Sequence, residues 1–475
     1  MKETVVQPLA QRGNQPRYLY IQTFGCQMNE YDSLKVQRAL APQGYLTTSD
    51  MEAADVVFLN TCSVREKAEQ KVHSFLGRLR RLKARNPGLK IIVAGCVAQQ
   101  LGRQLLGRFD YLDLVVGTKG VASIGRLLER ILETGERMAF IPDEEEQDPR
   151  DLRDREDRGE MLPLASPGGF EVASSVTIMQ GCDNFCTYCI VPYVRGRERS
   201  RPTDQVLREI RMLAEGRTRE VLLLGQNVNS YGRGLDEKTS FVDLLRRIQA
   251  ETGVTRVRFT TSHPKDLTDE LIGCFADLPV LCKNLHLPVQ AGSDRILERM
   301  NRGYTAAQYL EKIRKLRRAC PEIALSSDVM VGFPGETEED YEATLRLLQE
   351  VRFDALFSFR YSDRPYAKSA HYPDKVDEKT KTRRLIELQS IQAEISLAKN
   401  QAEVGRTREI LVEGPSKASN GQLTGRTHQN RIVNFEGPKE TVGRLIRVKI
   451  VSAFSHSLKG EIFAASSLKN PKGRL

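Results

Sequence analysis

Three cysteines fall within one eight-residue stretch of the run GCDNFCTYC: Cys182, Cys186 and Cys189. The C-x3-C-x2-C spacing loads a short loop with three thiols, so that loop must fold around whatever the sulfurs hold. Thiolates are the soft ligands that iron–sulfur clusters require. A cubane has four irons, so three protein thiolates leave one iron open to a non-protein ligand, and this separates a catalytic cluster from an electron store. A zinc site closed by a remote fourth ligand, or three buried structural thiols, would use the same residues. No Cys or His nearby completes a zinc tetrahedron at the usual spacing.

A chain of 475 residues exceeds one ordinary core and predicts two to four domains. Its first part carries three β-rich apolar runs that each end in a cysteine: YLYIQTFGC, DVVFLNTC and KIIVAGC. Helix-like spacing separates them in YDSLKVQRALAPQGY and SVREKAEQKVHSFLGRLRRLKARNPG. Alternating strands and helices predict a small parallel α/β sheet, whose ligands bind at the carboxyl ends of the strands. Cys26, Cys62 and Cys96 all occupy that position, although they lie 36 and 34 residues apart. They form a second three-thiol constellation, with small core residues at strand ends as the alternative reading.

The charged stretch DEEEQDPRDLRDREDRGE reads as an exposed linker or strap. Beyond it, VTIMQGC, EVLLLGQNV, RVRFTTSH, NLHLPVQAGS, IALSSDVMVGF and ALFSFRYS alternate with helical stretches. Six strand–helix units predict an open, partial βα barrel, with catalytic groups at the carboxyl ends of its strands. The Cys182–Cys189 loop follows the first of these strands. The last seventy or so residues read as short strands with Gly-rich turns, a small antiparallel barrel. From Val404 onward they hold 13 Lys or Arg against 5 acids, which is most of the chain's net charge of +10. Arg426, His428, Asn430 and Arg431 cluster there with Phe435 and Phe454, a mixture suited to single-stranded or looped RNA. A barrel that uses its aromatics as core is the alternative. No apolar run approaches membrane-spanning length and the first residues lack a signal-peptide core, so a cytoplasmic location is expected.

These residues resemble the radical S-adenosylmethionine methylthiotransferases along nearly the whole chain. MQGCDNFCTYCIVPYVRGRERSR is similar to that family's cluster loop, and TFGCQMNEYDS, NTCSVREKAEQKV and AGCVAQQ to its amino-terminal domain. LLLGQNVNSYG, LHLPVQAGSDRILERMNRGY and SDVMVGFPGETEEDY resemble the barrel, and GRTHQNRIVNF the terminal TRAM domain. In detail the chain resembles the members that act on isopentenyl-adenosine in tRNA. The resemblance implies an amino-terminal Rossmann-like α/β domain at 17–142, a charged linker at 143–168, a partial (β/α)6 barrel at 169–400 and a TRAM barrel at 401–468.

By that resemblance Cys182, Cys186 and Cys189 hold a [4Fe-4S] cluster whose free iron chelates S-adenosylmethionine. Cys26, Cys62 and Cys96 hold an auxiliary [4Fe-4S] cluster that serves as the sulfur source. One S-adenosylmethionine would donate a methyl group to that sulfur, and another would yield a 5′-deoxyadenosyl radical. The radical would remove hydrogen from C2 of isopentenyl-adenosine beside the tRNA anticodon, and the methylthio group would follow. The partners implied are the anticodon stem-loop and a flavodoxin- or ferredoxin-like electron donor, with the enzyme a monomer. The closest rivals are sister enzymes acting on threonylcarbamoyl-adenosine or on a ribosomal-protein aspartate. A non-catalytic iron–sulfur RNA-binding protein is a rival of another class.

Further cofactor contacts are expected at Tyr188, beside the adenine, and at Gln226 and Asn227, towards the amino group. Gln290, Ser293 and Asp328 suit ribose or carboxylate, or else cap helices, and Arg302 suits the carboxylate, a phosphate or the surface. Gly332 and Gly335 permit close backbone approach or make a turn. His263 and His286 read as structural, and Cys274, Cys282 and Cys320 as core thiols. The family often carries Gly-Thr after the YSxRP run, where this chain has Tyr366 and Ala367.

Overall fold

The computed structural model describes residues 16–63, 66–142, 171–417 and 421–463. The expected linker at 143–168 lies outside these residues, as do 464–468 at the end of the expected terminal barrel. The chain divides into two compact units. One holds Met1–Pro163 with Gln180–Asp183 and Cys189–Glu198; the other holds Leu164–Met179, Asn184–Tyr188 and Arg199–Leu475.

Among the described residues, the first unit is built on a six-stranded parallel sheet. Its strands are β1 (Arg17–Thr23), β2 (Tyr45–Thr47), β3 (Val56–Thr61), β4 (Lys90–Gly95), β5 (Leu114–Val116) and β6 (Met138–Phe140). They lie in the order β2-β1-β3-β4-β5-β6. Every residue of β3 is buried, because helices cover both faces of such a sheet and its central strands read as continuous apolar runs. The helices Gln27–Leu40 and Glu66–Arg85 follow β1 and β3, as the spacing of their apolar residues predicts. β2, β5 and β6 are three-residue strands with no sequence pattern of their own.

In the second unit, β7 (Ala173–Thr177), β10 (Glu220–Leu224) and β11 (Arg256–Phe259) pair in parallel. Short β8 (Met179–Gln180) and β9 (Arg199–Ser200) occur on either side of the cysteine loop in the chain. A second parallel group joins β12 (Asn284–His286), β13 (Ala324–Val331) and β14 (Ala355–Arg360). The bridge Val257–Leu281 links the two groups, with Val257 N–H donating to Val280 O at 2.7 Å and Cys282 N–H to Val257 O at 2.9 Å. The result is the expected open barrel of six parallel strands. Three intervening helices begin with reciprocal caps: Ser240 with Asp243, Thr305 with Gln308, and Thr337 with Asp340. Along β13 burial alternates, so that Ser326, Asp328 and Met330 share the less buried face. A cavity of about 710 Å³ is lined by Asn284, Ser326, Phe357, Phe359, Arg426 and Asn430, among others.

The same unit ends in a closed five-stranded barrel: β15 (Thr407–Pro415), β16 (Leu423–Thr427), β17 (Ile432–Phe435), β18 (Leu445–Ala453) and β19 (Leu458–Ile462). Its ladders are antiparallel except β17 with β19, which is parallel. Phe435 is fully buried in its core while Phe454 is 54% exposed, so the two aromatics have different uses. Two buried arginines of β11 fasten this barrel to the larger one. Arg256 Nη1 donates to Arg426 O at 2.7 Å. Arg258 donates to Glu220 Oε1 at 2.7 Å, Asn284 Oδ1 at 2.5 Å, Thr427 O at 2.7 Å and His428 O at 3.2 Å. No helix among the described residues is long and apolar enough to cross a membrane.

Removing one member of a buried ion pair leaves the other uncompensated, at a cost of about 3–5 kcal/mol. Arg258→Met strands Glu220 and releases two backbone carbonyls of the small barrel. Denaturant unfolding is expected to show a loss of that size, and an unchanged midpoint would show that the pair holds nothing.

Candidate functional site

The parallel register gathers the first set of cysteines. Thr23 stands opposite Asn60, and Thr61 opposite Gly95, so β1, β3 and β4 end close to one level. Cys26 caps the helix after β1, Cys62 follows β3 directly, and Cys96 opens the helix after β4. Two glycines make the approach possible. A Cβ on Gly25 would stand 2.7 Å from Cys62 Cβ, and one on Gly95 would stand 2.3 Å from Thr61 O; both have positive φ, at +153° and +94°.

Buried amides lock these strand ends. Asn29 Nδ2 donates to Thr61 O at 2.7 Å and Asn60 Oδ1 at 3.2 Å, and Asn60 Nδ2 returns to Asn29 O at 2.8 Å. Thr61 Oγ1 donates to Ala94 O at 2.6 Å, which ties β3 to the approach to Cys96. A hydrogen bond with Cys62 draws the Cys26 thiol down to about 6, aided by Arg195 and by the Asn29 and Met28 backbone, against the opposing effect of burial. Burial pushes the Cys96 thiol up. None of the nine cysteines is in a disulfide. Among the described residues no three Cys, His, Asp or Glu side chains close on a single ion. The thiolates of a cubane each take a different iron and need not meet at one point. Three sulfurs at one sheet edge, one of them readily ionised, fit such a cluster.

The Cys182–Cys189 loop carries donors aimed at its sulfurs. Val191 N–H points to Cys189 Sγ at 3.4 Å. Buried Arg302 donates from Nη1 to Cys186 Sγ at 3.2 Å and to the Tyr188 hydroxyl at 3.3 Å. Its Nη2 donates to Pro288 O at 2.8 Å and its Nε to the Tyr304 hydroxyl at 3.0 Å. Every guanidinium nitrogen is thus engaged, and this arginine serves the cysteine loop. Hydrogen bonds from N–H groups and a cation stabilise thiolate, so the loop fits a thiolate-held cluster.

The other expected contacts are placed as follows. Gln226 follows the end of β10. Asn227 is buried with Nδ2 donating to Asp266 at 2.7 Å, while its Oδ1 is an unsatisfied acceptor. Gln290 takes φ +73° and bridges to Val329, an unusual backbone for a non-glycine residue. Ser293 gives its hydroxyl to Asp340 at 2.5 Å, a bond within the scaffold. Asp328 lies 3.6 Å from His286 Nε2, and His286 Nδ1 is 3.1 Å from Ser326 Oγ. His263 accepts from Lys265 N–H at 3.2 Å, and burial drives its pKa down to about 2. Gly332 N–H donates to Glu336 at 2.6 Å, and Gly335 has φ +81°. Cys274, Cys282 and Cys320 are buried.

On the small barrel Arg426 pairs with Glu413 at 2.8 Å and Asn430 at 3.1 Å, and Asn430 itself is exposed. Arg431 turns inward to Asp354 at 2.6 Å and to Asn400, and so anchors the barrel. Arg258 donates to the His428 carbonyl, and burial together with the charges of Arg256 and Arg258 holds the His428 pKa down at about 4. Sequence reasoning missed Arg195, Arg256 and Arg258. The signal available was an arginine on the end of the apolar stretch IVPYV, and arginines alternating with apolar residues in RVRF.

A histidine whose folded pKa lies below its free value of 6.5 takes up its proton on unfolding, so its stabilising share is lost as pH falls below 6.5. For His263 and His428 the loss is roughly 1–2 kcal/mol each between pH 7 and pH 5. Urea midpoints at the two pH values are expected to converge partly in His428→Gln. A pH-dependent drop equal to that of the parent would refute this origin.

Family models match three stretches: radical SAM superfamily at 176–348, uncharacterized protein family UPF0004 at 18–117, and TRAM domain at 401–463. The chain is 64% identical over 460 residues to a tRNA-2-methylthio-N(6)-dimethylallyladenosine synthase of Syntrophobacter fumaroxidans, covering 97% of this chain and 99% of that one. It is 51% identical over 446 residues to the protein of the same name from Geobacter metallireducens, covering 94% and 98%. Among solved structures, the radical S-adenosylmethionine methyltransferase TsrM of Kitasatospora setae superposes with a TM-score of 0.54 at 16% identity, over 75% of this chain and 74% of that one. That likeness concerns the fold alone. The chain belongs to the radical SAM superfamily and, within it, to the family of the tRNA-2-methylthio-N(6)-dimethylallyladenosine synthases.

Proposed function

We infer that this chain is a radical S-adenosylmethionine enzyme that places a methylthio group on C2 of N6-isopentenyladenosine, the nucleoside at position 37 beside the anticodon of tRNA. The observation that carries the reading is the second set of thiols, Cys26, Cys62 and Cys96, gathered at one sheet edge. An electron carrier or a simple radical enzyme has no need of it, whereas sulfur insertion does. When bound, the two clusters and S-adenosylmethionine supply a carbon radical for an unactivated aromatic C–H, together with the methyl and sulfur that replace its hydrogen.

The chain's own residues supply ligation, orientation and enclosure. Cys182, Cys186 and Cys189 hold the radical-forming cluster, with Arg302 and the Val191 N–H bracing two of the sulfurs. The buried, unsatisfied Asn227 Oδ1 is an acceptor suited to the cofactor's ammonium. Arg426 and Asn430 border the same cavity as Ser326, Phe357 and Phe359 of the larger barrel. A nucleoside leaving an anticodon loop pays little to unstack. The domains take the limits 17–142, 169–400 and 401–468. The enzyme works as a cytoplasmic monomer on the anticodon stem-loop, fed by a flavodoxin- or ferredoxin-like donor.

Mass spectrometry of tRNA nucleosides from a strain lacking the gene is expected to show isopentenyl-adenosine without its methylthio group. Restoration should need the parent chain and fail with Cys182→Ala or Cys62→Ala. Persistence of the methylthio group in the deletion strain would overturn the assignment. Loss of a methylthio group from threonylcarbamoyl-adenosine instead would move the substrate to that nucleoside. Reduced, cluster-loaded protein is also expected to release 5′-deoxyadenosine from S-adenosylmethionine, and its absence would leave a non-catalytic RNA-binding protein.

A further inference from the structure

The chain leaves Cys189 through Ile190 into the short helix Val191–Arg195. Ile190 and Val194 bury themselves against Cys96, and Thr118 Oγ1 donates to Val194 O. This segment therefore walls the site of the other three cysteines, within one compact unit. At its end Arg195 is only 5% exposed. Its Nη2 donates to Asn29 Oδ1 at 2.8 Å and to Asp32 Oδ2 at 3.0 Å.

Asn29 spreads this contact. It accepts from the Cys26 thiol at 3.6 Å and donates to Thr61 O, the residue before Cys62. One guanidinium thus reaches Cys26 and the Cys62 strand through one amide, while the segment it ends packs on Cys96. Its charge is felt by both Cys26 and Cys96. A buried cation is expensive unless negative charge surrounds it, and Asp32 supplies one such charge. Three thiolates around a cluster would supply more, and groups that orient ligands and balance their charge set the affinity and potential of such centres.

We propose that Arg195 is a positioning residue for the auxiliary cluster: it fixes the three cysteines in register and supplies the buried positive charge that raises the cluster's reduction potential. The proposal rests on the reading that Cys26, Cys62 and Cys96 hold an iron–sulfur cluster. Removing a nearby positive charge disfavours the reduced, more negative form, so the potential should fall. Removing Asp32's negative charge should do the opposite.

The test uses the full chain with Cys182, Cys186 and Cys189 all changed to Ala, so that only the auxiliary cluster remains. Iron and sulfide per chain and the midpoint potential are measured with Arg195→Met, Arg195→Lys and Asp32→Asn added singly. Arg195→Met is expected to make reduction at least tenfold less favourable, which for one electron is a downward shift of about 59 mV. Arg195→Lys should recover much of that shift while still loading less iron, because a compact ammonium on a shorter stem does not reproduce the placement of the guanidinium nitrogen that bonds Asn29 and Asp32. Asp32→Asn should move the potential upward. Full loading and an unchanged potential in Arg195→Met would overturn the proposal. If that variant fails to fold, an Asp32→Asn protein with the parental potential would overturn it equally. An iron-free parent would instead overturn the cluster reading beneath it.

Discussion

The register of three parallel strands governs the rest of this molecule. With Thr23 opposite Asn60, and Thr61 opposite Gly95, the loops after β1, β3 and β4 leave the sheet at one edge. Cysteines separated by more than thirty residues each time become neighbours for that reason alone. A slip of one residue would turn each strand's buried side chains to the opposite face. The reciprocal amide bonds of Asn29 and Asn60 at the strand ends are broken by such a slip. The close approach then demands Gly25 and Gly95, since a side chain at either position would collide with Cys62 or with Thr61. Sheet hydrogen bonding, not loop chemistry, thus decides where the thiols stand.

Buried arginines carry the next level of organisation. Arg302 holds the loop around Cys186, Arg195 holds the ends of the strands that bear the other thiols, and Arg258 holds the turn of the small barrel. A guanidinium in a dry interior must satisfy a planar fork of donors, and only one arrangement of partners does so. The desolvation is costly and the net stabilisation small, but the geometry is specified closely. In each case the arginine connects a functional segment to a strand or helix that cannot move independently. Residues proposed as cluster ligands or RNA contacts need that restraint more than they need extra stability.

Much of this was legible in the sequence because it depends on local pattern. The strand-then-cysteine context, the six strand–helix alternations and the C-x3-C-x2-C loop are each contained in a short window. The three-residue strands β2, β5 and β6 were not legible, since a trio such as YLT acquires its role from the edge it pairs with. Charge gave no side-chain direction for the same reason. Arg431, expected among the RNA contacts, pairs with Asp354, which lies 77 residues earlier and draws it inward. His428, expected among the RNA contacts, has its pKa held down by burial and by the charges of Arg256 and Arg258. A side chain's direction is a tertiary fact, and one-dimensional spacing holds no record of it.

In the loop after YSDRP a bulky residue holds a backbone conformation that favours glycine. Tyr366 has φ +68°, the left-handed region where a glycine sits without strain, and its ring is 59% exposed. Ala367 beside it is fully buried and donates its N–H to Arg364 O at 3.1 Å. The turn is therefore closed and anchored by its buried neighbour, and the tyrosine accepts a conformation it does not favour. Holding a bulky residue there costs on the order of 1–3 kcal/mol, which the surrounding contacts must offset. The course of the chain is thus the one glycine would permit, and the substitution adds an exposed aromatic ring to it.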